Sequence, residues 1–319
     1  MICVICGGVG AARFLCALRE VVDPADVVAV INTGDDTVLH GLSISPDIDT
    51  ITYTLSGAID PERGWGLRDE TWTAMANLER YADVRPTGSA AAPTWFNLGD
   101  RDLATHFYRT ARLGEGASLG EVTTEIGRAW GVPERLIPMT DQRVSTIVEL
   151  ASGEAVSFQE YFVKLRHAVP VRSVRFEGAD EAHLHPAARA AITDADTVII
   201  APSNPVVSIG PLRALDGFDQ LLAARRSSVV AVSPIIGGAA LKGPADRMLH
   251  ELGHESSVVG VARLYRDIAA SLVIDPVDAA LANAIRAVGT NPVVVASVMS
   301  SPAVSATLAR AVLDASRPT

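Results

Sequence analysis

The chain has few cysteines and no dense run of basic residues. Its 319 residues include only 3 cysteines, an odd number that fits a reducing compartment better than a disulfide framework. Cys3 and Cys6 lie three apart in a predicted strand, so their side chains point to opposite faces, as core thiols rather than as metal ligands. The net charge is −10, with 27 basic residues, and nucleic acids are bound through clustered cations. We therefore expect no nucleic-acid partner, and a negative substrate needs locally placed cations or a metal.

Long apolar runs are also missing. No stretch approaches the roughly 20 apolar residues that span a bilayer, and the chain meets Gly7 and Gly8 too early for a signal peptide. We expect a cytoplasmic protein with no membrane partner. The remaining composition, with 48% hydrophobic and 20% charged residues, is typical of a globular protein. The length allows one large α/β domain, or a core that carries a second lobe.

Short apolar runs that alternate with helical patterns predict the fold class. The main strand-like runs are residues 2–6, 27–31, 197–201, 229–232 and 257–262. We predict an α/β fold with a doubly wound, mostly parallel, Rossmann-like sheet. Residues 1–66 and 169–319 form this nucleotide-binding core in the prediction, and residues 67–168 form an inserted, mainly helical lobe.

An acidic loop follows the second predicted strand. Residues 32–50 contain the carboxylates of Asp35, Asp36, Asp47 and Asp49. Acids at the carboxyl end of a parallel strand suggest Mg²⁺, which usually binds through one or two carboxylates plus substrate phosphates. Our metal candidates are Asp49, Asp47 and Asp35. The alternative is a solvated loop whose aspartates cap helices and close turns, and the spacing alone does not separate the two.

Loops rich in glycine, serine, asparagine and proline follow the other predicted strands. They offer backbone N–H groups and small polar side chains, which suit a phosphate or a nucleotide base at the carboxyl edge of a sheet. The candidates for nucleotide binding are Gly7, Gly8, Gly10, Asn32, Thr33, Asp36, Ser203, Asn204, Pro205, Ser233, Gly237 and Gly238. Lys242 can add a positive charge. The first turn, GGVG, is not GxGxxG, and such loops also serve as plain structural turns.

The segment LGDRDLATH, residues 98–106, precedes a helical pattern. Asp100 or Asp102 suits the N-cap of that helix. Capping explains Arg101 less well, because a cation at a helix N-terminus opposes the helix dipole unless it pairs with an acid or an anionic ligand. We therefore predict a ligand role for Arg101.

Several ordered blocks of sequence resemble one known family. They are GGVGAARFL (7–15), NTGDD (32–36), PDIDT (46–50), LGDRDLATH (98–106), PSNPVVSIGP (202–211) and SPIIGG (233–238). Through these blocks, nearly the whole chain resembles the 2-phospho-L-lactate transferases of coenzyme F420 biosynthesis. Its composition, rich in alanine, arginine and valine, is similar to that of the actinobacterial members, which use phosphoenolpyruvate.

The resemblance implies a Mg²⁺-dependent enzyme with two small-molecule partners. The donor is a three-carbon acid, phosphoenolpyruvate or 2-phospho-L-lactate, activated by guanosine diphosphate. The acceptor is the ribityl hydroxyl of the deazaflavin precursor 7,8-didemethyl-8-hydroxy-5-deazariboflavin. GMP is released, and the product is dehydro-coenzyme F420-0 or coenzyme F420-0. A homodimer is expected, since paired subunits are the commonest assembly.

The resemblance also implies roles for particular residues. Asp49 is the first candidate for contact with the metal or the acceptor hydroxyl, with Asp47 behind it. Arg101 is the candidate for contact with the deazaflavin or the phosphates. The lobe of residues 67–168 contributes to the deazaflavin site in this interpretation.

Two other functions compete with the transferase. A nucleotide-sugar-binding regulatory protein of the same fold has a similar glycine-rich start, and LGDRDLATH and SNPxxSIGP speak against it. An NAD(P)-dependent oxidoreductase is suggested by the strand, glycine turn and helix at the start of the chain. It is weakened by the missing GxGxxG, and by NTGDD where a single ribose-binding acid is expected.

Overall fold

Strands and helices alternate along most of the chain. A computed structural model describes residues 1–87, 89, 91 and 93–316. The strands are β1 (Ile2–Cys6), β2 (Val27–Ile31), β3 (Thr37–Leu39), β4 (Leu42–Ile44), β5 (Arg135–Pro138), β6 (Ser145–Leu150), β7 (Ala155–Ser157), β8 (Val171–Glu177), β9 (Thr197–Ile200), β10 (Val229–Val232), β11 (Ile235–Ile236), β12 (Ala239–Ala240), β13 (Ser271–Ile274) and β14 (Asn291–Val294).

Helices connect most of these strands. The α-helices are α1 (Gly8–Arg19), α2 (Pro46–Leu55), α3 (Thr73–Leu78), α4 (Asp102–Gly114), α5 (Leu119–Ala129), α6 (Pro186–Asp194), α7 (Gly210–Arg213), α8 (Phe218–Ala223), α9 (Ala245–Glu251), α10 (Val258–Tyr265), α11 (Ala282–Ala287) and α12 (Pro302–Ala315). Within the part of the chain that the structure describes, none of them has the length and apolar character that crossing a membrane requires.

The central sheet reverses its direction of growth beside β1. Among the described residues, seven parallel strands form this sheet in the order β14-β13-β10-β9-β1-β2-β5. The chain adds β2 and β5 on one side of β1 and then places β9 on the other. Ligands of open α/β sheets bind at the carboxyl ends of the strands next to such a reversal. The predicted doubly wound α/β fold is confirmed, and the loops after β1, β2 and β9 share this edge.

Both faces of the sheet are buried. Every residue of β1 and of β2 is buried, which is typical of parallel strands that are covered by helices on both sides. Cys3 packs in the core that includes α6, α8 and α10, whereas Cys6 packs on the opposite face, in the core that includes α1, α2 and α12. Both are free, buried thiols, and burial raises the pKa of Cys3 to about 12. The prediction of core thiols on opposite faces is confirmed.

The segment of residues 67–168 holds more than helices. Its strand β5 pairs with β2 at the edge of the central sheet, where Leu136 and Ile137 are buried. Its strands β6 and β7 form a small antiparallel sheet with β8, which lies in the predicted core segment. The division into a core and a lobe stays a prediction, but β5 belongs to the core sheet. Residues 88, 90 and 92 of this segment lie outside the described residues.

The strand predicted over residues 257–262 is wrong, because this segment lies mostly in helix α10. Ser257 caps the helix, with its hydroxyl accepting hydrogen bonds from the backbone N–H groups of Val259 and Gly260 at 3.1 and 3.2 Å. A short apolar run does not distinguish a buried helix from a buried strand by its periodicity. The serine directly before the run was the signal that favoured a helix.

The start of α1 packs tightly against the loop after β9. A Cβ atom on Gly10 would lie 2.3 Å from the Pro202 carbonyl oxygen, whereas one on Gly127, a glycine inside α5, would lie 3.8 Å from the nearest side-chain atom of Leu136. We expect Gly10→Ala to destabilise the protein by about 1–3 kcal/mol through overpacking. Gly127→Ala should stabilise it by up to about 1 kcal/mol, because alanine favours a helix. Urea unfolding of both variants checks this, and equal effects would contradict the close approach.

Candidate active site

The glycine turn after β1 meets the loops after β2 and β9. The N–H of Gly7 donates to Ser203 Oγ at 3.3 Å, and Ser203 Oγ donates back to the Gly7 carbonyl at 2.9 Å. A Cβ atom on Gly7 would lie 2.5 Å from Asp47 Oδ2 and 3.1 Å from Ser208 Cβ. Gly8 has a φ of 75°, in the left-handed region that favours glycine. Only glycine at position 7 therefore lets the turn approach the acidic loop this closely.

Asp47 is held in place by an amide. Asn32 directly follows β2, and its Nδ2 donates to Asp47 Oδ2 at 2.9 Å, while its Oδ1 accepts from the N–H of Gly34 at 2.9 Å. Asp47 lies in the first turn of α2 and is 8% exposed. Burial raises the pKa of Asp47 to about 6, although the hydrogen bond from Asn32 works in the opposite direction. The side chain is therefore oriented, and its negative charge is only partly compensated.

Asp35 and Asp36 add two further carboxyl groups beside Asp47. Burial, and then the charge of Asp47, raise the pKa of Asp35 well above its ordinary range. Asp36 accepts a hydrogen bond from Ser45 Oγ at 2.6 Å, and burial raises its pKa to about 8. Asp35 Oδ1 and Thr33 Oγ1 are buried and have no hydrogen-bond partner. A cavity of about 130 Å³ is lined in part by both acids. These oxygens suit a ligand that carries positive charge.

Asp49 is held by an arginine that was not among the predicted site residues. Arg109, in α4, is 1% exposed and donates to both carboxylate oxygens of Asp49, from Nη1 at 3.1 Å and from Nη2. Its Nη1 also contacts the Ser43 carbonyl at 3.4 Å and His106 Nδ1 at 3.3 Å. Such a bidentate pair fixes the plane of the carboxylate as well as its position.

Two more side chains of α4 continue this network. His106 Nε2 lies 3.3 Å from Asp102 Oδ2, and its Nδ1 lies 3.7 Å from Asp49 Oδ2. The Tyr53 hydroxyl of α2 donates to Asp102 Oδ1 at 2.5 Å. Asp102, His106 and Arg109 lie four and then three residues apart, so they share one face of α4. This spacing of polar residues on a buried face was the sequence signal for Arg109.

Arg101 makes different contacts. Its side chain is exposed, and its Nη1 donates to the Arg68 carbonyl at 2.7 Å. Arg101 occupies the N-cap of α4, and its own side chain makes no capping hydrogen bond. The Glu70 carboxylate accepts from the backbone N–H groups of Arg101 and Asp102 there, at 2.5 and 3.3 Å. Asp100 instead accepts from the N–H of Thr73 at 2.9 Å, at the start of α3. The expected capping of α4 by Asp100 or Asp102 is therefore wrong. The ligand role of Arg101 stays a prediction, and its contacts lie on the loop that precedes α3.

The loops after β9 and β10 are held by their own hydrogen bonds. Asn204 Oδ1 and Ser233 Oγ each accept from the backbone N–H two residues later, at 2.9 and 3.1 Å. The N–H of Gly237 donates to Asp278 Oδ2 at 2.9 Å, and both Gly237 and Gly238 are exposed with positive φ. The buried members of the predicted nucleotide-binding set are Gly7, Asn32, Thr33, Ser203, Pro205 and Ser233. Hydrogen bonds within the chain thus preform these turns.

Lys242 brings a cation close to the first turn of α1. A Cβ atom on Gly64 would lie 3.0 Å from Lys242 Nζ and 3.8 Å from Val9 Cγ1. The loop after β12 and the loop around Gly64 therefore meet beside the glycine turn. A positive charge at this place favours an anion at the start of α1, where backbone N–H groups are also available.

The carboxyl groups fit a divalent cation that a substrate completes. Besides burial, the charges of Asp47 and Asp36 raise the pKa of Asp35, the charge of Asp47 contributes to the raised pKa of Asp36, and Asp35 Oδ1 has no hydrogen-bond partner. Within the described residues, no group of three or more histidine, cysteine, aspartate or glutamate side chains is arranged to hold a metal ion by itself. Mg²⁺ needs only one or two carboxylates when phosphates supply further ligands. Of the predicted metal set, Asp35 and Asp47 lie in this cluster, whereas Asp49 is paired with Arg109.

Known proteins share this sequence and fold. The sequence model of the family described as 2-phospho-L-lactate transferase CofD matches residues 2–309. A phosphoenolpyruvate transferase of Kitasatospora aureofaciens is 41% identical over 314 residues, which cover 97% of this chain and 95% of the relative. One of Mycobacterium tuberculosis is 42% identical over 290 residues, 85% of each chain. A solved UPF0052-family protein of Bacillus halodurans has a TM-score of 0.60 at 14% identity, covers 98% of both chains, and is similar in fold alone.

We expect the metal-free protein to lose stability as the pH rises from about 4 to about 8. The pKa of Asp36 is raised from 3.8 to about 8 in the folded protein, so the folded state binds more protons than the unfolded state across this window. The contribution of Asp36 is therefore fully present at low pH and is lost as the pH rises. Thermal melts of the wild type and of Asp36→Asn, in chelator, measure it. The decline should be shallower in the variant, and parallel declines would contradict the raised pKa.

Proposed function

The chain belongs to the 2-phospho-L-lactate transferase family, a transferase family of coenzyme F420 biosynthesis, and we propose that it transfers a phosphoenolpyruvyl group. The donor is phosphoenolpyruvate activated by guanosine diphosphate. The acceptor is the ribityl hydroxyl of 7,8-didemethyl-8-hydroxy-5-deazariboflavin. The products are GMP and dehydro-coenzyme F420-0. The expected homodimer and the Mg²⁺ requirement are parts of the same proposal.

One observation carries this proposal: a glycine turn faces buried carboxyl groups at the reversal point of the sheet. Helix α1 begins at Gly8, directly after this turn, and the positive end of its dipole favours a diphosphate there. Asp47 lies so close to this turn that a side chain on Gly7 would overlap with it. Phosphates and a cation would therefore meet where the two loops touch. The names of the two relatives favour phosphoenolpyruvate as the three-carbon acid.

The protein contributes mainly position and charge, since phosphoryl transfer needs little covalent work from an enzyme. Asp35 and Asp47 would hold Mg²⁺, with Asn32 fixing Asp47. When bound, the ion neutralises charge on the diphosphate and improves GMP as a leaving group. Ser203 supports the glycine turn from the other side.

In this proposal, the Asp49 carboxylate accepts a hydrogen bond from the ribityl hydroxyl of the acceptor. A carboxylate has about four acceptor positions, so the two hydrogen bonds from Arg109 leave room for another. The hydroxyl oxygen forms a bond to the phosphorus that carries the three-carbon group, the bond from that phosphorus to the GMP oxygen breaks, and the hydroxyl proton passes to Asp49. The pair with Arg109 keeps the carboxylate pointed in one direction.

A direct assay tests the reaction and the donor together. The purified protein is incubated with the deazaflavin precursor, Mg²⁺ and either the enolpyruvyl- or the lactyl-diphosphoguanosine, and GMP and the deazaflavin product are followed by mass. We expect GMP and a phosphodiester product, with the enolpyruvyl donor preferred. The preference should be moderate, because a methylene in place of a methyl group is worth only about 1–3 kcal/mol.

Matched variants locate the activity. Asp47→Asn removes a charge from the acidic cluster and should abolish turnover, whereas Glu154→Gln changes an exposed acid in the β6–β7 turn and should not affect it. If neither donor yields GMP and no guanine nucleotide binds, the transferase proposal is wrong. A nucleotide-sugar-binding protein would then be the function to test.

A further inference from the structure

We propose that Arg109 is a positioning residue of the transfer reaction, which sets the orientation of Asp49 and of the first turn of α2. The inference rests on the proposed function, because it assigns Arg109 a part in that reaction. Arg109 touches no substrate in this proposal. It acts through Asp49, which receives the acceptor hydroxyl.

Arg109 joins three elements around the acidic cluster. It projects from α4, binds both oxygens of Asp49 in α2, and contacts the carbonyl of Ser43 in β4 at 3.4 Å. The guanidinium is planar, and its paired N–H groups match the two carboxylate oxygens. The Asp49 carboxylate consequently has one preferred plane, with Arg109 and Asp49 only 1% and 5% exposed.

The effect of this pair extends to Asp47. Both acids lie in the first turn of α2, two residues apart. Asp47 is held from the other side by Asn32, at 2.9 Å, and lies against the glycine turn after β1. The start of α2 is therefore fixed at two points, by Arg109 at Asp49 and by Asn32 at Asp47. Loss of the Arg109 contact would let the Asp49 carboxylate turn away from the place where the diphosphate donor binds.

A contribution to folding stability does not by itself account for the buried ion pair of Arg109 and Asp49. A buried ion pair loses much of its attraction to desolvation, and well-packed apolar residues of similar size are often as stable. Arg109 Nε is also buried without a hydrogen-bond partner. Unpaired buried donors cost free energy and are rare in folded proteins. If the Arg109–Asp49 pair served only to stabilise the fold, apolar side chains in its place would avoid this cost.

Arg112 provides a matched control on the same helix. It lies one turn after Arg109 and also forms ion pairs, with Glu125 at 2.8 Å and with Glu115 at 2.5 Å. Its side chain is 31% exposed, and its partners lie in and before α5 rather than in α2. Arg112→Gln therefore removes an arginine and its ion pairs from α4 without a change at Asp49.

The test compares kcat and KM of the wild type, Arg109→Gln, Arg109→Lys and Arg112→Gln in the GMP-release assay. We expect kcat of Arg109→Gln to fall by about 100-fold, the loss that a misplacement of about 1 Å produces. KM for the donor should change less than kcat, since Asn32 still holds Asp47 in the variant. Arg109→Lys should recover part of kcat, because it keeps the charge without the bidentate fork. Arg112→Gln should keep the wild-type values.

A double-mutant cycle separates positioning from a general structural role. If Arg109 acts through Asp49, the double variant Arg109→Gln/Asp49→Asn should be no slower than Asp49→Asn alone, because groups that act as one unit are not additive. Additive losses would overturn the proposal. Thermal melts accompany each assay, so that kcat refers to folded protein.

The outcomes distinguish this inference from the proposed function. A wild type that releases no GMP from either donor overturns both. An active wild type with an unchanged kcat in folded Arg109→Lys and Arg109→Gln overturns the role of Arg109 alone. If Arg109→Gln does not fold, Arg109→Lys decides, and a wild-type kcat in that variant contradicts the proposal.

Discussion

The burial of four carboxyl groups at one edge of the sheet is the constraint on which the site depends. Each group is compensated differently. Arg109 pairs with Asp49, an asparagine amide binds Asp47, a serine hydroxyl binds Asp36, and one oxygen of Asp35 has no partner. The protein therefore supplies one arginine as a direct ion-pair partner and otherwise only neutral hydrogen-bond donors for these four acids. The remaining demand for positive charge is what a cation with a phosphate ligand would satisfy.

The parallel sheet brings the parts of this site together. Strand β1 lies between β2 and β9, so the three loops that follow these strands meet without any long insertion. Glycine at position 7 lets the first loop touch the acidic loop, and Ser203 ties it to the third. Helix α4 then closes the arrangement from the other side of α2 through Arg109. The sheet fixes where the loops begin, and α4 fixes how the acids point.

The parts of the site that adjoin strand ends were predictable from the sequence. The glycine turn and the aspartates of residues 32–50 follow directly after apolar runs, so the runs locate them on the sheet. Arg109 was not predicted, because 60 residues separate it from Asp49 and only the packing of α4 on α2 joins them. Arg101 drew the prediction instead, since it stands beside two acids in the sequence. In a helix, however, the residues that share a face are three or four apart, and adjacent residues point in different directions.

Two predictions about secondary structure failed, one at the start of α4 and one over residues 257–262. The capping of α4 by its own aspartates was inferred from adjacency, and Asp100 binds the start of α3 instead. The strand over residues 257–262 was inferred from an apolar run too short to show its period. Both errors came from local patterns that tertiary contacts resolve.

The most direct test of the central claim is the binding of Mn²⁺, as a spectroscopic substitute for Mg²⁺, followed by electron paramagnetic resonance with and without GDP. We predict that the ion binds much more tightly when the nucleotide is present, because phosphates complete its ligands, and that Asp35→Asn weakens this binding. If Mn²⁺ binding is indifferent to GDP and to Asp35→Asn, the acidic cluster is not a metal site and the central claim is contradicted.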